Sequence, residues 1–169
     1  PVVLKWLRDN AARDNWYLHV NYWDPHTPYR TPQGYPDHFA EDPLPDWITD
    51  EVLEQHVGTV GPHSARDIAM YSNRTDPHYP KHPGEITDRA SLRRVIDGYD
   101  NGVRYVDDQV AAIVEALKAA GVYEDTAIVL SADHGENLGE LGIYGEHGTA
   151  DQITCRVPMI IRWPGLEGG

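Results

Sequence analysis

An aspartate and a histidine, Asp133 and His134, directly follow the apolar segment from Thr126 to Ala132. A carboxylate oxygen and an imidazole nitrogen are both ligands for divalent cations. The apolar segment predicts a buried strand whose end carries the pair into a loop. Glycines at positions 135, 139, 142, 145 and 148 allow that loop to turn sharply. We therefore predict a metal site at Asp133 and His134, against the alternative of an ordinary surface pair.

The same loop carries a candidate proton donor, His147, within Tyr144-Gly145-Glu146-His147-Gly148. A protonated imidazole can donate a proton to an ester oxygen near neutral pH, and acidic neighbours favour its charged form. Three roles for His147 remain open from the residues alone: general acid, metal ligand, or a loop residue bound to the backbone.

The elements around this loop alternate between helix and strand. Apolar residues at intervals of three and four predict a long helix from Asp88 to Ala120, with a kink or break near Tyr99 as an alternative because Gly98 and Gly102 interrupt it. A short helix is predicted from Val2 to about Arg13, and a capped one near Thr49. Strands are predicted at 15–23, 126–132 and 157–163, and loops at 24–45 and 72–85. This alternation is typical of an α/β fold, in which helices cover a sheet.

Several ordered segments resemble the sulfatases of the alkaline phosphatase superfamily. Leu18 to Tyr29 resembles the family's strand and Asp-Pro-His-x-Pro turn, and the long helix with its connector at 121–126 resembles the elements before the metal strand. Asp133-His134-Gly135-Glu136 and the following segment to Gly165 resemble the metal loop and the next strand. The resemblance covers nearly the whole chain and is weakest from about Asp37 to Ile86.

The resemblance implies an alkaline-phosphatase-like α/β sandwich with a central mixed sheet flanked by helices. Residues 1–169 would form part of one sulfatase-like catalytic domain, the C-terminal portion of its core, with the N-terminal part missing. Asp133 and His134 would bind a divalent metal together with two aspartates upstream. His26 would contact the substrate, although a histidine in a Pro-rich turn can also be structural.

The implied activity is metal-dependent hydrolysis of a sulfate ester, carried by a small molecule or a carbohydrate. Calcium is the expected metal, with manganese as the alternative, because His134 stands where many sulfatases have Asn. Many sulfatases carry a lysine near the place of Glu146 and His147, and here we predict His147 as the catalytic acid. The family's nucleophile motif, Cys or Ser followed by x-Pro-x-Arg, does not occur in this chain. Formylglycine, made from that cysteine, is expected only in the missing N-terminal part, and the isolated chain is expected to have no turnover and poor metal affinity.

Two alternatives share these features. One is a phosphodiesterase or phosphonate monoester hydrolase of the same superfamily, and the other is a non-catalytic binding or structural homologue. The only cysteine, Cys155, has the wrong context for the nucleophile and is predicted to be half-buried beside a strand.

Composition narrows the classes of partner. With 14 basic and 27 acidic residues the formal charge is −13, which argues against binding nucleic acid through a general electrostatic surface. No apolar run is long enough to span a bilayer. Compartment and oligomeric state stay open.

Overall fold

The computed structural model describes residues 2–68, 78 and 84–166. Its elements are, in chain order, α1 (Val2–Asn10), α2 (Asp50–Gly58), α3 (Arg89–Ala119), β1 (Ile128–Ser131), β2 (Asn137–Leu138), β3 (Tyr144–Glu146), α4 (Gln152–Cys155) and β4 (Met159–Arg162). Within the described residues the strands form two antiparallel pairs, β1 with β4 and β2 with β3. No helix in this part of the chain is long and apolar enough to cross a membrane.

The chain divides into two compact units. Unit 1 contains residues 1–22, 106–133 and 157–169, and unit 2 contains residues 23–105 and 134–156. The helix α3 runs through both units.

Unit 1 is built around a small apolar core of Leu7, Ala11 and Leu117, with Trp6 and Trp16 packed against it. The two indoles meet edge to face at 5.7 Å between ring centroids. β1 and β4 pair in the register Ile128 opposite Arg162 through Ser131 opposite Met159.

Two expectations about this unit are wrong. Residues 15–23, the predicted first strand, belong to neither sheet, because an extended segment becomes a strand only when another strand pairs with it. Side-chain packing holds the segment instead, and Trp16 Nε1 donates to the carbonyl of Ala11 at 3.1 Å. The strand β1 is not buried as predicted: Val129 is 57% exposed, because a two-stranded sheet leaves much of its surface uncovered.

Unit 2 has the larger core, which includes Tyr29, Leu53, Ile86, Leu92 and Tyr144. The predicted cap of α2 is confirmed, since the Thr49 side chain accepts a hydrogen bond from the backbone N–H of Val52. The predicted loop at 24–45 is irregular, while the loop predicted at 72–85 lies largely outside the described residues. Cys155 is exposed rather than half-buried, because the short α4 presents it to solvent.

The helix α3 is continuous, so the alternative of a break near Tyr99 is wrong. Gly102 has a packing role: a Cβ atom there would lie 2.8 Å from Cβ of Pro25, closer than carbon atoms approach. The missing side chain therefore lets the loop that carries His26 lie against the helix.

The loop after β1 is fastened to α4 by its backbone. The Gly135 N–H donates to the carbonyl of Thr154 at 2.8 Å. The carbonyl of Ile153 leaves no room at position 135, since a Cβ atom would lie 2.1 Å from its oxygen.

We predict that Gly135→Ala destabilises the protein by about 2 kcal/mol or more, because the clashing Ile153 oxygen is a backbone atom that cannot rotate away. Urea denaturation measures the loss of free energy of unfolding. The matched control is Gly58→Ala at the end of α2, where a Cβ meets nothing within 4 Å and the change should be within about 0.5 kcal/mol. Equal effects of the two substitutions would contradict this packing.

A second prediction concerns Asp97 on α3, which is 7% exposed. Burial raises the pKa of its carboxyl to about 6, although Arg93 at 3.6 Å opposes the shift. The folded state then holds a proton that the unfolded chain releases near the ordinary aspartate pKa of 3.8. The contribution of this carboxyl to the free energy of unfolding is therefore greatest below pH 4 and falls, by on the order of 2 kcal/mol, as pH rises to about 6.

Asp97→Asn should remove this fall and leave the protein more stable than wild type at pH 7, as measured by urea denaturation at several pH values. Asp107→Asn, an exposed change on the same helix, is the control and should alter the free energy of unfolding by less than about 0.5 kcal/mol. An unchanged pH dependence in Asp97→Asn would contradict the prediction.

Candidate active site

The β2–β3 hairpin places Glu136 beside His147. Asn137 lies opposite Glu146 in the antiparallel register, so the residues that flank this pair come next to each other at the open end of the hairpin. The His147 Nδ1 atom lies 3.2 Å from Oε2 of Glu136. The register therefore explains a contact between residues 11 positions apart.

The carboxylate of Glu136 is buried and bound at both oxygens. Its second oxygen, Oε1, accepts a hydrogen bond of 3.0 Å from the hydroxyl of Tyr29, which is 1% exposed. Burial raises the pKa of Glu136, whereas the hydrogen bond from Tyr29 and the charge of His147 act to lower it. Burial, reinforced by the neighbouring carboxylate, raises the pKa of Tyr29, so its hydroxyl remains a donor.

The His147 ring also contacts the rings of two other histidines. It stacks on the His134 ring at 3.9 Å between centroids, with 12° between the planes. The His26 ring approaches it at 5.2 Å in an edge-to-face arrangement. Because Glu136 occupies Nδ1, the Nε2 atom of His147 remains to meet a ligand or substrate.

His26 is positioned by two consecutive turns. Its N–H donates to the carbonyl of Trp23 and its carbonyl accepts from Tyr29 N–H, each at 3.0 Å. These turns direct Tyr29 into the core, where it reaches Glu136, and set His26 against His147. The His26 ring stacks on Trp23 at 4.4 Å, and its Nδ1 lies 2.9 Å from the carbonyl oxygen of Thr27. A carbonyl can only accept, so Nδ1 carries a hydrogen and Nε2 is the second polar atom.

The His134 ring, like that of His26, has its Nδ1 atom close to a backbone carbonyl oxygen. Its Nδ1 lies 2.8 Å from the carbonyl oxygen of Gly135, and Nε2 is its second polar atom. One donor atom each from His134, Glu136 and His147 lie within 4.8 Å of one another. Two imidazole nitrogens and a carboxylate oxygen are suited to a divalent cation, and to manganese more than to calcium, which prefers oxygen ligands.

Asp133 is exposed and ends the second segment of unit 1, whereas His134 begins the second segment of unit 2. The structure thus brings together three of the four predicted site residues, His26, His134 and His147. The fourth, Asp133, belongs to unit 1.

The carboxylate of Glu146 binds groups of its own loop and His63. It accepts hydrogen bonds from the backbone N–H groups of Gly148 and His147, the latter at 2.8 Å, and its other oxygen lies 2.6 Å from Nε2 of His63. The N–H group of Gly148 is the main cause that lowers the pKa of this carboxyl. Many sulfatases have a lysine near the position of Glu146 and His147. Of these two residues, His147 contacts His26 and His134.

Sequence reasoning named Glu136 only within the motif that resembles the metal loop and did not connect it with Tyr29. The signal for the Glu136–His147 contact was the run of glycines, which is typical of a tight hairpin whose flanks meet. No comparable signal marked Tyr29, because its contact with Glu136 spans 107 positions and depends on the fold.

The chain is similar in sequence to several curated proteins. The chain is 27% identical to choline-sulfatase of Rhizobium meliloti (strain 1021) over 163 residues, which cover 95% of this chain and 29% of that protein. It is 35% identical over 133 residues to phosphoethanolamine transferase EptA of Salmonella typhimurium, covering 73% of this chain and 23% of EptA. The chain thus spans less than a third of the length of these curated relatives.

Among solved structures, the phosphonate monoester hydrolase SpPMH from Silicibacter pomeroyi is similar, with a TM-score of 0.63 and 24% identity over 97% of this chain and 32% of the other. This likeness confirms the fold class, a partial α/β domain of the alkaline-phosphatase-like type. The family model for the sulfatases matches residues 1–168. The chain therefore belongs to the sulfatase family.

Proposed function

We propose that this chain is part of a metal-dependent sulfuric ester hydrolase and forms the C-terminal portion of the core of its single catalytic domain. The observation that carries the proposal is the cluster of His26, His134 and His147 around the buried Glu136, in a chain of the sulfatase family. Substrates in this proposal are sulfate esters of a small molecule or a carbohydrate.

The proposed roles follow from the contacts of the Nδ1 atom in each ring. His134 would hold the cation through Nε2, together with Asp133, because its Nδ1 is bound to the Gly135 carbonyl. A bound divalent cation would neutralise charge on the sulfate oxygens. Manganese and calcium are both candidates, with the imidazole ligand in favour of manganese.

His26 would contact the sulfate group, since its Nε2 can donate to a sulfate oxygen while Nδ1 stays with the Thr27 carbonyl. His147 would act as the acid: as the bond between sulfur and the leaving oxygen breaks, Nε2 gives that oxygen a proton. The proposal assigns the nucleophile to no residue of this chain, because the sequence contains no Cys-x-Pro-x-Arg or Ser-x-Pro-x-Arg.

The first test is sulfate release by the protein expressed from the complete reading frame that contains this chain. We expect hydrolysis of 4-nitrophenyl sulfate or sugar sulfates to fall at least about 100-fold after chelation and to return with Mn²⁺ or Ca²⁺. Phosphonate monoesters and phosphodiesters are assayed in parallel. Faster turnover of those esters than of every sulfate ester, or full activity after chelation, would contradict the proposal.

A second test separates an acid from a metal ligand at His147. Replacing His147 by Gln should lower kcat for an alkyl sulfate by about 10²- to 10⁴-fold, because a poor leaving group needs the proton. It should affect 4-nitrophenyl sulfate much less, since nitrophenolate leaves without protonation. Exposed His38, changed to Gln, is the control and should leave both rates unaltered. Equal losses for both esters would contradict the acid role.

A further inference from the structure

Glu136 and Tyr29 form a chain of hydrogen bonds that ends at the candidate acid. We propose that they are positioning residues for His147, which fix its ring with the hydrogen on Nδ1 so that Nε2 is the nitrogen that gives up a proton. The inference rests on the proposed role of His147. It adds Glu136 and Tyr29 to the residues of the same site.

The other contacts of His147 cannot fix this orientation. Stacking on His134 and the edge contact with His26 stay nearly the same if the ring turns over by 180°, which exchanges Nδ1 with a carbon atom. Only a polar partner distinguishes the two orientations. Glu136 Oε2, at 3.2 Å from Nδ1, is that partner.

The carboxylate is itself fixed. Glu136 is 8% exposed, and a buried hydrogen bond to a charged group is stronger than one in water. Its rotation is stopped by the Tyr29 hydroxyl on the second oxygen. Tyr29 is held in turn by the core, where it meets the Tyr99 ring edge to face at 5.5 Å.

The arrangement assigns the protons. A doubly protonated His147 carries one hydrogen toward Glu136 and one on Nε2. As the bond between sulfur and the leaving oxygen breaks, its electron pair goes to that oxygen, which takes the Nε2 hydrogen, while the sulfuryl group passes to the nucleophile. The ring is left neutral with its hydrogen on Nδ1, and Glu136 neither gains nor loses a proton.

The test is the tautomer of His147, measured by long-range ¹H–¹⁵N NMR of the imidazole rings of this chain at alkaline pH, where histidines are neutral. We expect the Nδ1–H form to exceed the other by at least about tenfold, the effect of one hydrogen bond to a carboxylate. Exposed His38 serves as an internal reference in the same spectrum. A dominant Nε2–H form of His147 in the wild-type chain would overturn the proposal, and this measurement needs no variant.

Substitution of Glu136 by Gln should invert the tautomer. Tyr29 would still donate to the amide oxygen, which turns the NH₂ group toward Nδ1 and leaves that atom only an acceptor. Tyr29→Phe should reduce the excess of the Nδ1–H form without inverting it. Glu54→Gln, on the exposed side of α2, makes the same change of charge and should leave His147 unaltered. An unchanged tautomer in Glu136→Gln would overturn the proposal.

A metal titration distinguishes positioning from coordination. Adding Zn²⁺, which is diamagnetic, should leave the Nδ1–H form of His147 in place. Loss of that form at stoichiometric Zn²⁺ would mean that the metal takes Glu136 or Nδ1 of His147, and either outcome would overturn the positioning role. The NMR result is independent of turnover, so an inactive full-length protein with the Nδ1–H form would refute only the proposed function, and an active one with the Nε2–H form only this inference.

Discussion

The structure around the candidate site depends on one buried carboxylate. Glu136 accepts hydrogen bonds at both oxygens, from Tyr29 in the loop after Trp23 and from His147 at the end of β3. Burying a carboxylate without hydrogen-bond partners costs several kcal/mol of free energy, roughly. Burial of Glu136 therefore requires both hydrogen bonds, and these bonds join two distant segments of unit 2. The contact holds the His147 ring, on which the His134 ring stacks and against which the His26 ring lies edge to face.

The hairpin, the turns and the helix of unit 2 bring the residues of that contact together. The register of β2 and β3 sets Glu136 and His147 side by side, and the turns from Trp23 to Tyr29 send Tyr29 inward and leave His26 at the cluster. Gly102 on α3 lets Pro25 approach the helix. A site on a loop thus gains its order from backbone hydrogen bonds and close packing rather than from a large sheet.

Much of this could be predicted from sequence, and the failures have physical causes. The long helix, the cap at Thr49 and the strands β1 and β4 follow from local patterns of apolar residues and hydrogen-bonding side chains, and the structure confirms them. The strand predicted at 15–23 failed because pairing depends on a partner that local pattern does not specify. His26 and His147 could be named from their motifs. The role of Tyr29 could not, because it arises from a contact across 107 positions.

Anomalous X-ray diffraction from Mn²⁺-soaked crystals of the full-length protein tests the central claim most directly. The account predicts a manganese peak at ligand distance from Nε2 of His134, with Glu136 still between Tyr29 and His147. A peak elsewhere in the protein, with none at His134, would contradict it.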